Sequence, residues 1–285
     1  IRKLNALLTL SGGTPRESWS TSLSAYSARW NSTDQVPQRL IDAGSYQGQP
    51  FGRFDSLDPS DGAKTSRVSL SGTWRRSENN QITAVQWYAL KYDLDLYSNF
   101  TYALERPTDQ FAQTDHRTVL GGKAFRTWIT ELGPDRTMLN TAGVQLRQDD
   151  IRVGLYDTAQ RQIQATVRDD QVRQSMLGVY GQNEISWNSW LRTIAGLRAD
   201  QLNVNVTSHS LSENSGKASA FKLSPKMSFI FGPWNKTEFF LNTGQGFHSN
   251  DARGMTARVD PKTGLPIDRV PGLVSSRGQE VGVKT

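Results

Sequence analysis

The 285-residue chain contains no cysteine, which excludes a disulfide framework and a thiolate metal site. It also has no run of about 18 apolar residues, so the sequence predicts no transmembrane helix. Hydrophobic residues make up 36% of the chain and charged residues 21%, a polar balance for a protein with one compact core. A transmembrane β-barrel remains compatible with this composition, because its strands alternate apolar and polar residues.

Sequence motifs for catalysis and nucleotide binding are absent as well. The three histidines, His116, His209 and His248, lack the spacing of a metal-binding HExxH helix. There is no GxSxG nucleophile turn and no phosphate-binding GxxxxGKS or GxxxxGKT loop. The net charge of +6 is spread without a basic stripe, which argues against a nucleic-acid partner. We therefore predict no enzymatic activity, no cofactor and no metal site.

Period-two alternation of apolar and polar residues is the main pattern in the chain, and it predicts an all-β fold. It is clearest in Lys217–Gly232, where Phe221 and Phe229 share one face and Lys222 and Lys226 share the other. The pattern predicts about eleven strands, at 2–10, 17–30, 65–77, 80–100, 113–131, 136–150, 173–187, 189–206, 217–232, 236–249 and 275–285.

The predicted connections alternate between short and long, which places tight turns at one end of the sheet and large loops at the other. This arrangement is typical of outer-membrane barrels and unusual for Greek-key sandwiches. Trp187, Trp190 and Trp234 lie beside short turns, where indole rings favour a membrane interface. The short connections are Ser11–Arg16, Ser77–Asn80, Leu132–Arg136, Asn188 and Pro233–Asn235; the long ones are Asn31–Lys64, Thr101–Ala112, Ile151–Val172, Thr207–Gly216 and Asn250–Val274.

Four segments in order carry a resemblance to a known family. They are GVYGQNEISWNSWLRTIAGLRAD at Gly178–Asp200, LSPKMSFIF at Leu223–Phe231, FFLNTGQGFHSNDARG at Phe239–Gly254 and SRGQEVGVKT at Ser276–Thr285. In this order and spacing, the segments resemble the barrel of TonB-dependent outer-membrane receptors. Arg29–Gly44 resembles the same family less distinctly.

The resemblance implies a 22-stranded barrel closed by an N-terminal plug domain. We expect residues 1–285 to form an antiparallel transmembrane β-barrel segment of about eleven strands, with the plug and the C-terminal strands absent from this chain. The implied function is energised uptake of a metal chelate, with ferric siderophores as the leading class. The implied partners are the lipid bilayer, lipopolysaccharide, the plug, the chelate and a TonB-type coupling complex that acts through the plug. A passive porin or autotransporter-type barrel, or a soluble β-sandwich adhesin, remains an alternative.

Ligand-binding candidates lie where predicted strands meet the long-loop end. His248, Asn250, Asp251 and Arg253 follow one strand, and they indicate either a polar strand-to-loop transition or part of an outer vestibule. Arg198 and Asp200 lie within the predicted strand 189–206 and are further vestibule candidates. The lumen-facing cations indicate either solvation and pairing with plug acids or attraction of an anionic ligand. These cations are Arg192, Arg198, Lys222 and Lys226. The side chains predicted to face lipid are Phe229, Phe231, Phe239, Leu241 and Phe247.

Overall fold

Eleven long antiparallel strands form one sheet in which every strand pairs with its neighbours in the chain, apart from an inserted two-stranded hairpin. The computed structural model describes residues 1–106 and 108–285. The long strands are β1 Arg2–Gly13, β2 Glu17–Asn31, β5 Gly62–Glu78, β6 Gln81–Ser98, β7 Phe111–Gly133, β8 Arg136–Ala159, β9 Gln162–Ser186, β10 Leu191–Ser208, β11 Gly216–Trp234, β12 Thr237–Ser249 and β13 Leu273–Lys284.

The remaining elements lie in the long connections. The connection after β2 holds helix α1, Gln38–Ala43, and the hairpin β3 Ser45–Tyr46 and β4 Gln49–Pro50. A 3₁₀ turn at Ser212–Asn214 follows β10, and helix α2, Ala252–Thr256, follows β12. No described helix has the length and apolarity needed to cross a membrane.

The prediction of an eleven-stranded all-β segment is confirmed, but one predicted loop is wrong. Ile151–Val172 is the upper half of the β8–β9 hairpin, closed by a tight turn at Gln160 and Arg161. Both turn residues have positive φ, 48° and 65°, as the two central residues of a type I′ hairpin turn require. The turn contains no Gly, Pro or Asn, so its sequence gives no hairpin signal.

The sheet has two faces whose polarity exchanges part of the way along the strands. Towards the short turns, the outward face is apolar and exposed, for example at Leu146, Leu177 and Leu197. Beyond these residues the outward face becomes polar, and the inner face becomes apolar and buried, as at Val172 and Val204. The exchange marks the outer edge of an apolar belt, because only the lower outward face suits a hydrocarbon environment.

The edge of the belt is staggered from strand to strand. Relative to the strand pairing, the last apolar outward residue moves by two residues at three places: between β5 and β6, between β7 and β8, and between β9 and β10. Together the three steps move the edge of the belt by about 20 Å along the strands, over a distance of about 24 Å across the sheet from β5 to β10. It corresponds to a strand tilt of about 40°, within the range expected for barrels. The last apolar outward residues are Val68, Ala89, Leu120, Leu146, Leu177 and Ala199.

An apolar cluster forms on the inner face near the long-loop end. Val204, Val206 and Val172 from the wall pack with Met255 of α2 and Leu273 of β13. Most alternating apolar residues were expected to face lipid, and this holds for Phe239 and Leu241, which are exposed on the outward face. It does not hold for Phe247, which is half-buried against this cluster. The pairing of β11 with β12 ends at Lys226 and Gly244, so the upper part of β12 is free to turn away from β11.

Replacing Phe229 with arginine tests the orientation of the belt. Phe229 is 37% exposed on the outward face of β11 and stacks on Phe231 at 6.5 Å. We expect Phe229→Arg in the intact protein to lose about 2–4 kcal/mol of stability if the residue lies near the bilayer midplane. Urea titration of barrels refolded into lipid vesicles measures this loss. Ser228→Arg, on the inner face of the same strand, is the matched control, and equal losses in both variants would contradict the assignment.

Candidate functional site

The segment 250–272 lies against the inner face and shapes the long-loop end of the wall. Helix α2 buries Ala252 and Met255 in the apolar cluster. Thr256 donates to the backbone carbonyl of Asn214 at 2.9 Å, and the Asn214 amide nitrogen donates to the carbonyl of Val259 at 2.9 Å. These contacts hold the segment to the 3₁₀ turn after β10.

Asp251 and Arg253 form a closed pair at the start of α2. Asp251 caps the helix by accepting from the backbone N–H of Arg253 at 2.9 Å. The Arg253 guanidinium also donates to both carboxylate oxygens of Asp251, at 3.0 Å and 2.6 Å. Partial burial raises the pKa of Asp251, but the hydrogen bonds and positive charge of Arg253 outweigh it and hold that pKa below its ordinary value.

His248 and Asn250 lie at the end of β12, and Asn250 directly precedes Asp251 in the chain. The Asn250 side chain donates to the carbonyl of Pro271 at 2.8 Å, and its backbone N–H donates to the carbonyl of Gly272 at 3.0 Å. Asn250 therefore closes the base of the segment. His248 is exposed and sits opposite Val274 in the β12–β13 ladder.

Arg198 and Asp200 form a second pair, inside the wall. Asp200 is fully buried, and Arg198 donates to its two oxygens from Nε at 2.8 Å and from Nη2 at 2.6 Å. Arg198 also donates to the side-chain oxygen of Gln145 at 3.1 Å. A Cβ at Gly178 would collide with Arg198 and Asp200, so glycine at this position makes room for the pair.

The structure does not bring the six candidates into one site. The acidic neighbours of Arg253 on the wall are Asp170 and Asp115, and Asp170 is opposite Ser208 on β10. Ser208 lies eight residues beyond Asp200 on that strand, about 26 Å along it. The apolar side chains of Leu202, Val204 and Val206 occupy the interval. The proposed ligand-binding roles of the six residues stay predictions.

Further arginine–aspartate pairs on the inner face were missed by reasoning from the sequence. Each joins residues two apart on one strand, as in Arg198–Asp200, and the acids Asp149 and Asp170 are buried. The signal was available, because residues i and i+2 of a strand share a face. These pairs are Asp115–Arg117, Arg147–Asp149 and Arg168–Asp170.

A recess of about 340 Å³ lies below the pairs on the inner face. Its cations include Lys123 and Lys226 as well as Arg198, whose charge Asp200 balances. Neither lysine has an ion-pair partner among the described residues. Of the other predicted lumen cations, Arg192 is 3.8 Å from Glu184, and Lys222 donates to Ser275 at 2.6 Å. The recess therefore carries uncompensated positive charge.

Hydrogen bonds join the long connection between β2 and β5 to the one between β6 and β7. We call the four residues that form them the loop knot: Asp58, Asp61, Asn99 and Gln110. The Gln110 amide nitrogen donates to Asp61 at 3.0 Å, and the Asn99 amide nitrogen donates to Asp58 at 3.2 Å. Arg161, at the tip of the β8–β9 hairpin, donates from its backbone to Gln110 at 2.8 Å. Burial, together with the nearby acids, raises the pKa of Asp61 to about 7, although the Gln110 hydrogen bond opposes the shift.

Three features identify the fold as a membrane barrel rather than a β-sandwich. They are the single sheet in which each strand pairs with its neighbours in sequence, the apolar outward belt and the polar inner wall. The chain belongs to a family of transport receptors, described as TonB dependent receptor-like, beta-barrel, which matches residues 5–284. The family consists of outer-membrane proteins of Gram-negative bacteria and not of enzymes. The resemblance stated from the sequence is confirmed, and the porin, autotransporter and adhesin alternatives are set aside.

Solved structures share the fold at low sequence identity. The siderophore receptor PiuA from Acinetobacter baumannii is 10% identical with a TM-score of 0.75, and the alignment covers 99% of this chain and 47% of PiuA. The ferric citrate transporter FecA is 14% identical with a TM-score of 0.69, covering 86% of this chain and 36% of FecA. The copper transporter OprC is 14% identical with a TM-score of 0.69, covering 99% and 42%. A search of curated protein sequences found no match. The chain thus spans less than half the length of these structures.

Replacing Asp251 with asparagine should loosen the segment 250–272. The variant keeps a helix-capping oxygen but leaves Arg253 without its carboxylate, so we expect faster amide hydrogen exchange in this segment, by about 5-fold for a loss of about 1 kcal/mol. Asp268→Asn removes an equal charge from an exposed position in the same segment and is the control. Equal exchange in the two variants would contradict a structural role for the pair.

The loop knot should weaken as the pH rises through the range from about 4 to 7. The folded form binds the Asp61 proton more tightly than the unfolded form, so the stabilisation is complete below the ordinary pKa of 3.8 and is lost as the pH approaches about 7. Asp34 and Asp58 add negative charge, and Arg161 adds positive charge, at the same place. Hydrogen exchange of residues 32–61, corrected for the intrinsic rate, measures this dependence. Asp61→Asn should flatten it, Asp42→Asn should not, and an unchanged profile in Asp61→Asn would refute the assignment.

Proposed function

We propose that this chain forms part of the wall of a receptor that imports an anionic metal chelate, with ferric siderophores as the leading class. The observation that carries the proposal is the recess with uncompensated Lys123 and Lys226. Opposite charge in a confined, partly desolvated lumen attracts an anion more strongly than the same charges would in open water. FecA transports ferric citrate, OprC transports copper and PiuA is a siderophore receptor, which is consistent with a metal complex as the ligand.

Energised import would use partners beyond this chain. The inner wall carries a row of arginine–aspartate pairs that could exchange partners with charges on a plug domain. In this proposal, the plug fills the lumen, and a TonB-type complex moves it after the ligand has bound. The wall supplies the ligand contacts and the rigid frame against which the plug moves.

Uptake by the intact receptor tests the proposal. A deletion strain grown under iron limitation should lose uptake of at least one radiolabelled ferric chelate, and the full-length gene should restore it. Uptake should also stop when the inner-membrane energy source is collapsed. Unchanged uptake of every chelate in the deletion strain would contradict the proposal.

Charge removal in the recess tests the ligand class. We expect the double variant Lys123→Gln, Lys226→Gln to raise the half-saturating concentration of an anionic chelate about 10-fold, which corresponds to about 1.4 kcal/mol. Lys236→Gln, in the tight turn before β12, is the matched control. An equal effect in the control, or tighter binding of a cationic chelate by the wild type, would overturn the anionic assignment.

A further inference from the structure

The upper part of β12 has left its place in the wall between β11 and β13. Pairing of β12 with β11 ends at Lys226 and Gly244, whereas its pairing with β13 continues as far as Ser249. Among the described residues, no other strand takes the place of β12 beside Lys217–Pro225 of β11. The wall is therefore split from this point towards the long-loop end.

The split begins inside the apolar belt. Leu223 of β11 is opposite Ala199, the last apolar outward residue of β10, and Lys226 lies three residues closer to the short turns. The backbone of Ser224 and Pro225 thus lacks a partner on the β12 side at the level of the belt. Unpaired N–H and C=O groups are costly at this depth, so closure of the split would be favourable for the backbone.

The ribbon of β12 and β13 bends into the lumen above the split. Phe247 packs against the apolar cluster, and Leu273 is buried within it. Both residues belong to the outward series of their strands, yet here they face the inner side of β11. A Cβ atom added at Gly272 would lie 3.2 Å from the Cβ of Ala220, an inward residue of β11. The ribbon has thus folded over, so that its outward side rests on the inward side of its neighbour.

Glycines occupy the concave side of this bend. Gly244 and Gly278 are opposite each other in the β12–β13 ladder, and Gly246 follows on the same face. An inward bend crowds the inner side chains, and glycine has none to crowd. A Cβ atom at Gly278 would meet nothing within 4 Å, so packing does not fix the bend at this position. The bend therefore lies where the ribbon can pivot.

The sequence of upper β12 fits the wall as well as the lumen. Continuing the existing register would extend the β11–β12 ladder as far as Phe221 and Ser249. It would place Phe247 opposite Leu223, on the outward face at the edge of the belt. This position gains backbone hydrogen bonds, whereas the inward position gains the burial of Phe247 and Leu273. The two gains oppose each other, as a two-position element requires.

We propose that the upper β12–β13 ribbon and α2 form a flap with two positions. In the inward position the flap rests on Ala220 and Lys222 of β11. In the wall position Gln245–Ser249 pairs with β11, and α2 leaves the apolar cluster. The recess begins just below the flap, at Ser224 and Lys226 of the same strand, so the inward flap narrows the approach from the long-loop end. The two positions are independent of the imported ligand; the use of the flap as a gate for that ligand rests on the proposed function.

Disulfide cross-linking in the full-length receptor distinguishes the two positions. Residues 1–285 contain no cysteine, so an introduced pair reports alone once any cysteines elsewhere in the receptor are replaced. Phe221→Cys with Ser249→Cys reports the wall position, in which opposite residues have Cβ atoms about 4.5–5.5 Å apart. Ala220→Cys with Gly272→Cys reports the inward position. We expect both pairs to form under mild oxidation, because a disulfide traps even a minor population.

A third pair controls for the chemistry of cross-linking. Met227→Cys with Thr243→Cys joins residues that are opposite each other below the split and should form in both positions. Each receptor must keep the heat-modifiable gel migration of a folded barrel. Failure of the wall pair to form while this control pair forms would overturn the wall position.

A charge placed under α2 should shift the flap towards the wall. Met255 is 5% exposed in the apolar cluster, and a carboxylate there opposes burial. We expect Met255→Asp to form the wall cross-link at least about 3-fold faster than the wild type and the inward cross-link more slowly. Leu265→Asp adds the same charge at a position that is 63% exposed in the same segment and is the matched control. Equal rates in the two variants would refute the coupling of α2 to the split.

Thiol labelling in the recess measures access without any chelate. Gln182→Cys places a single thiol among the residues that line the recess. A sulfonated maleimide added to the intact receptor should label this thiol at least about 3-fold faster with Met255→Asp than with Leu265→Asp. Equal labelling would overturn the gating role. Faster labelling without a faster wall cross-link would mean that the segment detaches without joining the wall, which overturns the wall position. Chelate uptake enters neither measurement, so failure of the flap and failure of the proposed function are distinguishable.

Discussion

Backbone hydrogen bonding is the constraint on which the rest of this structure depends. In a hydrocarbon environment an unpaired N–H or C=O group costs several kcal/mol, so strands cross only as members of a closed sheet. The chain meets this requirement from β2 to β12 by pairing each strand with its neighbours in sequence. Within the described residues, β1 and β13 are each paired on one side only. In a membrane both edges need further strands, which agrees with the coverage of less than half of the similar solved structures.

One part of the sheet faces lipid and the other part faces water, and this explains why the polarity of its two faces exchanges along the strands. Inside the belt, the outward side chains face lipid and the inner ones face a wet lumen. Beyond the belt, the outward side chains meet water, and the inner face can bury an apolar cluster beneath the segment 250–272. Burying Val204 and Val206 there anchors the segment through the hydrophobic effect, while Asp251 fixes its start by hydrogen bonds. The apolar cluster can therefore form because the strands extend beyond the membrane.

Alternation in the sequence predicted the strands and most of their faces, because the period of two is set by the backbone alone. It failed at Ile151–Val172, where the outward positions carry charges such as Arg152 and Asp169 that are typical of loops. It also failed at Phe247, because the departure of β12 from β11 is a tertiary event with no local signal. Of the candidate site, the Arg198–Asp200 pair could be found by its spacing on a predicted strand, whereas the Asp251–Arg253 pair lies in a predicted loop, where this spacing gives no signal. The separation between them could not, since it depends on the strand register and the inserted apolar cluster.

The distribution of charge along the inner wall bears on how an anion would travel in the proposed receptor. At the long-loop end of the wall, which forms the mouth of the lumen, Arg168 and Arg253 each have an aspartate partner, so these pairs add little net charge. The uncompensated lysines lie deeper, in the recess beside Arg198. An anion therefore gains little Coulomb energy until it has passed the pairs, and the gain increases as water is excluded around it. Affinity would then depend on the recess, whereas the paired arginines at the mouth would govern selectivity, because each must release its aspartate before it can bind a ligand.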